Sequence, residues 1–258
     1  MGVPEIRVAE RPGVAPEGTD RPSEDRVVVL PNAVVVLDGA TTLRPGVASG
    51  GWYATVLAEE LATRLTVDPH ADLPDALAES ITALVARHGL VPGRSPSSTV
   101  AMLRWNEDVV DALVLADSPV IAFTGDGPAV LADERLAALP RGGHYRARLR
   151  DGAGFGDGHA ELLRDSADSV GELRNRDGGF WVAEADPRAA YQARRARWPR
   201  EDVRAALVAS DGVSCGVDDY ALFPGWAAVL DLAIARGPDA VLAAVREAER
   251  GDPAGRRW

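Results

Sequence analysis

Two unbroken apolar runs stand out near the start of the chain, at residues 27–30 and 33–37, separated by Pro31-Asn32. They read as two strands joined by a short turn. Neither alternates apolar with polar, so both faces of each strand are expected to be covered. After a Gly-rich stretch the period changes. Trp52, Val56, Leu57, Leu61 and Leu65 recur at helical spacing and predict a helix over about 51–66. Asp72 with Pro74 in the first turn opens a second helix. It carries Leu73, Leu77, Ile81, Leu84 and Val85 inward and stops at Gly89. The strand rhythm then returns at 98–105 and 109–116 around "NED", and at 119–123 and 128–131 around "TGDG", two hairpins. Residues 140–160 read as loop, and 160–200 as mostly helical with a break at Gly178-Gly179. A strand is expected at 203–209, and helices near 224–235 and 238–250.

Runs of strands alternate with runs of helices, which argues an α+β fold with antiparallel sheets. A helix pair placed between strand runs suits the cover of one sheet, and the later helices the cover of another. There is no internal repeat.

The 258 residues, 46% of them hydrophobic, suit one domain spanning 1–258. A net charge of −11 speaks against a nucleic-acid or anionic-membrane partner. All 28 basic side chains are Arg. Cys215 is the single cysteine, so no internal disulfide is expected. No apolar run approaches the ~20 residues of a membrane span. The start, "MGVPEIRVAERPG", has no signal-peptide pattern. A soluble, cytoplasmic protein is expected; its oligomeric state is not legible.

Carboxylates gather at strand ends. One strand ends at Asp38-Gly39, another at Asp117-Ser118, and a third at Ser210-Asp211-Gly212. Glu24-Asp25 precedes the first strand, so in a hairpin it lies beside Asp38. Two carboxylates about 4 Å apart repel by roughly 4 kcal/mol at an effective dielectric near 20. A cation between them removes that cost. All-oxygen ligands favour Mg²⁺ or Mn²⁺, and Gly39 leaves a backbone carbonyl exposed as a further donor. Two such ions with a bridging water suit phosphoester hydrolysis, with Arg21 as the phosphate contact.

The segments "RPSEDRVVVL", "VVVLDGA", "SSTVAMLRW", "LVLADSPVIAFTGDGPAVLADERL" and "ALVASDGVS" resemble, in order, the motifs of the PP2C-type (PPM) metal-dependent Ser/Thr phosphatases. The "RN…GGFW" segment at 174–181 is similar to divergent actinobacterial members. The resemblance implies an α-β-β-α sandwich of two antiparallel sheets flanked by helix pairs. It implies that Asp38 bridges two Mn²⁺ or Mg²⁺ ions, with the Gly39 carbonyl on one and Asp211 on the other. Glu24 or Asp25 would act directly or through water, Asp117 would sit near a third, weaker ion, and Arg21 would contact phosphate. A metal-bridging hydroxide would attack a phosphorylated protein or a small phosphomonoester.

Departures from the family pattern are specific. The loop after Asp38 reads "DGATTLRPG" where members carry further glycines, and no His follows until His70. Ala116 and Ser98 stand where members have Gly. The chain reaches Trp258 inside a segment that, in members, precedes another Asp and a last strand. Either the protein continues beyond Trp258 into that Asp and strand, or it lacks both; the second case keeps a catalytically weak interaction or regulatory module as the alternative. "GVSCG" at 212–216 matches a nucleophile elbow, but all four His precede it, against the order that fold needs.

Overall fold

A computed structural model describes residues 4–14, 20–41, 46–139, 149, 151–152, 170–252 and 254–257. The chain falls into two compact units. The first comprises Glu24–Leu136 and Leu173–Ser210; the second comprises Met1–Ser23, Ala137–Glu172 and Asp211–Trp258.

The first unit is built on two antiparallel sheets. Strands β3 (Asp25–Leu30), β4 (Ala33–Asp38), β5 (Val100–Trp105), β6 (Val109–Leu115) and β9 (Arg194–Pro199) form the larger, in the order β3-β4-β5-β6-β9. Strands β7 (Val120–Thr124), β8 (Gly127–Leu131) and β10 (Ala205–Val208) form the smaller, in the order β10-β7-β8. Helices α1 (Gly50–Val67) and α2 (Leu73–His88) pack on one face of the larger sheet.

The continuous apolar strands divide their side chains between two cores. Val35 and Leu37 of β4 turn to the helices, joining Tyr53, Leu57, Leu61, Leu77, Ile81 and Leu84. Val36 turns to the smaller sheet, joining Ala101, Ala112, Val114, Val120 and Ala122. The layer between the sheets is rich in Ala and Val, and the layer under the helices carries most of the Leu and Ile. The caps are those the sequence signals: the Asp72 side chain accepts from Asp75 N–H, and Gly89 ends α2 at φ 64°, in the left-handed region.

The second unit holds β1 (Gly13–Val14) paired with β2 (Asp20–Arg21), and helices α3 (Asp211–Asp218), α4 (Trp226–Arg236) and α5 (Pro238–Arg250). No described helix is long and apolar enough to cross a membrane.

Two expectations are corrected. Residues 194–199, read as helical, form the edge strand β9, preceded by a 3₁₀ turn at Pro187–Gln192. The Arg-rich "RRARWP" is polar enough to pass for a helix surface, but its pairing with β6 decides the conformation. The Ser-Asp-Gly end of β10 runs straight into helix α3, which the strand-end pattern hid. The loop expected at 140–160 lies almost wholly outside the described residues, as do residues 160–169 of the expected helical segment.

Candidate active site

The two-residue turn at Pro31-Asn32 sets Leu30 opposite Ala33 and carries the register down to Asp25 opposite Asp38. Gly39 N–H donates to Glu24 O at 3.1 Å, so 24/39 is a hydrogen-bonded pair and 25/38 is the closer, non-bonded kind. Side chains so placed share a face, with Cβ atoms roughly 5 Å apart. That face is the inner one: Asp38 continues the column of Val34 and Val36, and Asp25 that of Val27.

Asp38 directs its backbone the other way, towards β5. Its carbonyl accepts from Thr99 N–H at 2.9 Å, and its N–H donates to Thr99 Oγ1 at 3.1 Å. Thr99 Oγ1 in turn lies 2.6 Å from Ser118 Oγ, and Ser118 is fully buried. From the smaller sheet, Ala209 N–H donates to Pro119 O, and Ser210 Oγ donates to Asp25 Oδ2 at 3.3 Å. Asp25, Asp38, Thr99, Ser118 and Ser210 therefore form one row across the end of both sheets.

Glycines make the row possible. A Cβ on Gly39 would lie 2.3 Å from Gly50 C, and one on Gly50 would lie 2.3 Å from Ala40 O. The start of α1 thus presses backbone to backbone on the chain leaving Asp38. Glu24 occupies that helix start: its carboxylate accepts from Gly51 N–H at 3.4 Å and from Thr41 Oγ1 at 2.7 Å. A carboxylate there is also favoured by the helix dipole.

The other expected residues are placed as follows. Asp117 is half-buried at the turn after β6, following Ala116 at φ 68°. An alanine in that region costs on the order of 1 kcal/mol, and the Asp133 carboxylate holds Ala116 N–H at 3.2 Å. Asp211 and Arg21 belong to the second unit. Asp211 is exposed at the start of α3, one residue after Ser210, and Arg21 pairs with Gly13 in β2.

Three features escaped the sequence reading. Thr99 and Ser118 lie in segments the sequence singled out, but neither was given a role, and only the register brings them together. Arg26 was passed over although it adjoins Asp25; it faces the helices and donates to Thr55 Oγ1 at 2.7 Å. Where β6 leaves the sheet, Ala183 takes its place beside Ser98, exchanging backbone bonds of 2.9 and 3.1 Å. The buried Glu184 fixes that segment by accepting from Gly93 N–H at 3.0 Å and from Arg174 Nη1 at 3.4 Å.

The donor set can be tested against a metal ion. Asp25, Asp38 and the Gly39 carbonyl are all oxygen donors at the end of one hairpin, Asp25 opposite Asp38 and Gly39 next in the chain. Two carboxylates with water completing the shell fit Mg²⁺ or a similar hard ion. Among the described residues no three His, Cys, Asp or Glu side chains gather to hold one.

No protein-family model matches the chain, and no curated protein does. Solved structures do. Serine/threonine phosphatase Stp1 from Staphylococcus aureus aligns at a TM-score of 0.59 and 12% identity, over 96% of this chain and 92% of its own. The PPM Ser-Thr phosphatase MsPP from Mycobacterium smegmatis, in complex with cacodylate, aligns at 0.55 and 14%, over 95% and 91%. The catalytic domain of serine/threonine protein phosphatase PstP, in complex with two manganese ions, aligns at 0.52 and 15%, over 96% and 92%. At these identities the likeness is one of fold: the chain has the PP2C-type α+β fold.

Proposed function

We propose that this chain is a divalent-metal-dependent phosphomonoester hydrolase of PP2C type, acting on phosphoserine or phosphothreonine in a protein. The observation that carries the reading is the close cross-strand pair Asp25–Asp38 at the end of the two-sheet sandwich, with the Gly39 carbonyl beside it. In this reading Asp38 is the principal ligand, supported by Asp25 and the Gly39 carbonyl. Asp211, next in the chain after Ser210, supplies the carboxylate of a second ion. Glu24 acts through water, because its own oxygens are held by Gly51 and Thr41. Asp117 serves a weaker third ion, and Arg21 binds the phosphoryl group. Bound Mn²⁺ or Mg²⁺ would neutralise the carboxylates and supply a water acidic enough to be a nucleophile near neutral pH. Ser210 orients Asp25, and the Thr99 hydroxyl fixes the backbone of Asp38, so neither carboxylate has to reorganise during the reaction.

The absence of a three-carboxylate cluster among the described residues favours a second reading, a PP2C-like regulatory or interaction module of weak activity. Hydrolysis of p-nitrophenyl phosphate separates the two. The phosphatase reading expects turnover with Mn²⁺ that EDTA and Asp38→Ala each abolish. Calorimetric titration with Mn²⁺ counts the ions bound. No Mn²⁺-dependent turnover from the full chain sinks the phosphatase reading, and no Mn²⁺ binding sinks the metal site with it.

A further inference from the structure

Residues 187–200, "PRAAYQARRARWPR", hold five Arg and no acidic residue in a chain whose net charge is −11. The fold sets the core of this segment, β9, at one edge of the larger sheet. The ladder phase shows which backbone groups face outward. Arg200 N–H donates to Asp108 O at 2.8 Å, so 194, 196 and 198 bond to β6. The N–H and C=O of Arg195 and Arg197 therefore point to the open side. No described residue meets them.

The side chains along this edge leave positive charge in excess. Asp111 is shared by Arg104 at 3.0 Å and Arg197 at 2.5 Å, and Asp133 by Arg135 at 2.5 Å and Arg194 at 4.0 Å. Arg195 reaches Asp72 at 3.4 Å. Five guanidinium groups thus meet three carboxylates. The Arg194, Arg195 and Arg197 side chains stay 53%, 60% and 69% exposed, and such exposed pairs exchange partners at little cost.

We propose that β9 is a docking edge for an acidic, extended segment of another protein, which adds to the sheet as a further strand. Backbone bonds to Arg195 and Arg197 supply the alignment, and alternate Asp or Glu side chains meet the surplus guanidinium groups. A second copy of this chain is a poor occupant. Antiparallel pairing centred on Ala196 sets Arg195 of each copy against Arg197 of the other, and like charges so placed are unfavourable. By strand spacing and rise the edge lies roughly 20 Å from Asp38, so this surface is separate from the carboxylate row and does not rest on the phosphatase reading.

Fluorescence polarisation on the full chain tests this with a labelled peptide alternating valine and aspartate, at low salt. Saturable binding is expected. A lysine-for-aspartate peptide and a peptide with alternate backbone amides methylated should each bind at least tenfold more weakly. Arg195→Glu should weaken binding at least tenfold. Arg195→Pro should weaken it further than Arg195→Ala, which loses the same side chain, and leave the melting temperature nearly unchanged, because the N–H it deletes faces outward and the exposed pair with Asp72 is worth little. The proposal is overturned if the chain does not bind the aspartate peptide, or if the lysine or methylated peptide binds as well. It is also overturned if Arg195→Glu and Arg195→Pro both bind like the parent, or if sedimentation shows a dimer that Arg195→Pro dissolves.

Discussion

Replacing Thr99 by Val keeps the shape of the side chain and deletes one hydroxyl. That hydroxyl accepts from Asp38 N–H at 3.1 Å and shares a second hydrogen bond with Ser118 Oγ, 2.6 Å away, in which either oxygen can donate. Thr99 is 9% exposed and Ser118 0%, so the pair is largely shielded from water. Stranding the Asp38 N–H costs about 1–3 kcal/mol, and losing the hydroxyl pair about 1 more. The expected loss is therefore roughly 2–4 kcal/mol, or on the order of 10 °C in Tm for a chain of this size. Thr99→Ser keeps the hydroxyl, gives up one methyl, and should cost about 1 kcal/mol. Ser118→Ala should also cost about 1 kcal/mol in the parent and almost nothing once Thr99 is Val, because both changes break one bond. Urea unfolding of the parent and the four variants, the double variant included, measures all of these. If Thr99→Val is no more damaging than Thr99→Ser, or if the Thr99→Val and Ser118→Ala losses add in full, the hydroxyl does not support Asp38 in the way described.

Three further outcomes follow from the same geometry. Gly39→Ala should destabilise by about 3 kcal/mol or more, since its Cβ falls 2.3–2.5 Å from backbone atoms of Gly50 and Gly51, which cannot swing away; a parent-like urea midpoint would contradict that packing. Burial, with nearby Glu249 and Asp211, pushes the Cys215 thiol up to about 12, so Ellman's reagent at pH 8 should label the native chain only as fast as it unfolds. Burial tends to raise the Asp111 carboxyl, but hydrogen bonds from Arg197 and Arg104 outweigh it and hold the group below the usual carboxylate range. Its contribution to stability is present above the unfolded value near 3.9 and is lost as pH falls through the lower folded value, so Asp111→Asn should flatten the acid limb of the urea midpoint below about pH 4.

The features that could be read from the sequence are local ones. The Pro31-Asn32 turn counts out the register by itself, so the meeting of Asp25 and Asp38 follows from adjacent residues. Asp72, Pro74 and Gly89 mark α2 because caps act within one turn. What stayed hidden depends on partners far along the chain. Nothing near Ser210 announces Asp25, and nothing near Ser98 announces Ala183, because a single hydrogen bond leaves no periodic trace. Strand β9 was missed for a related reason. Its Arg195 and Arg197 look out over aspartates supplied by other elements, and of the residues on the other face only Ala196 and Trp198 are apolar. Two inward apolar residues are too few to set a period, so tertiary pairing overrides what the composition suggests.

The replacement of β6 by Ala183 beside Ser98, and the reach of Ser210 to Asp25, also bear on synthesis. Ser210 is made 185 residues after Asp25. At ordinary ribosomal speeds that interval is roughly 10–40 s. Through it the Asp25–Asp38 hairpin has left the ribosome, while Ser98 still waits for Ala183 and Asp25 for Ser210. A nascent chain can therefore own both carboxylates without owning the row that holds them. The finished arrangement comes into being only when the last strand of the first unit has been translated, so a ribosome stalled before β10 displays the acidic hairpin but not the site.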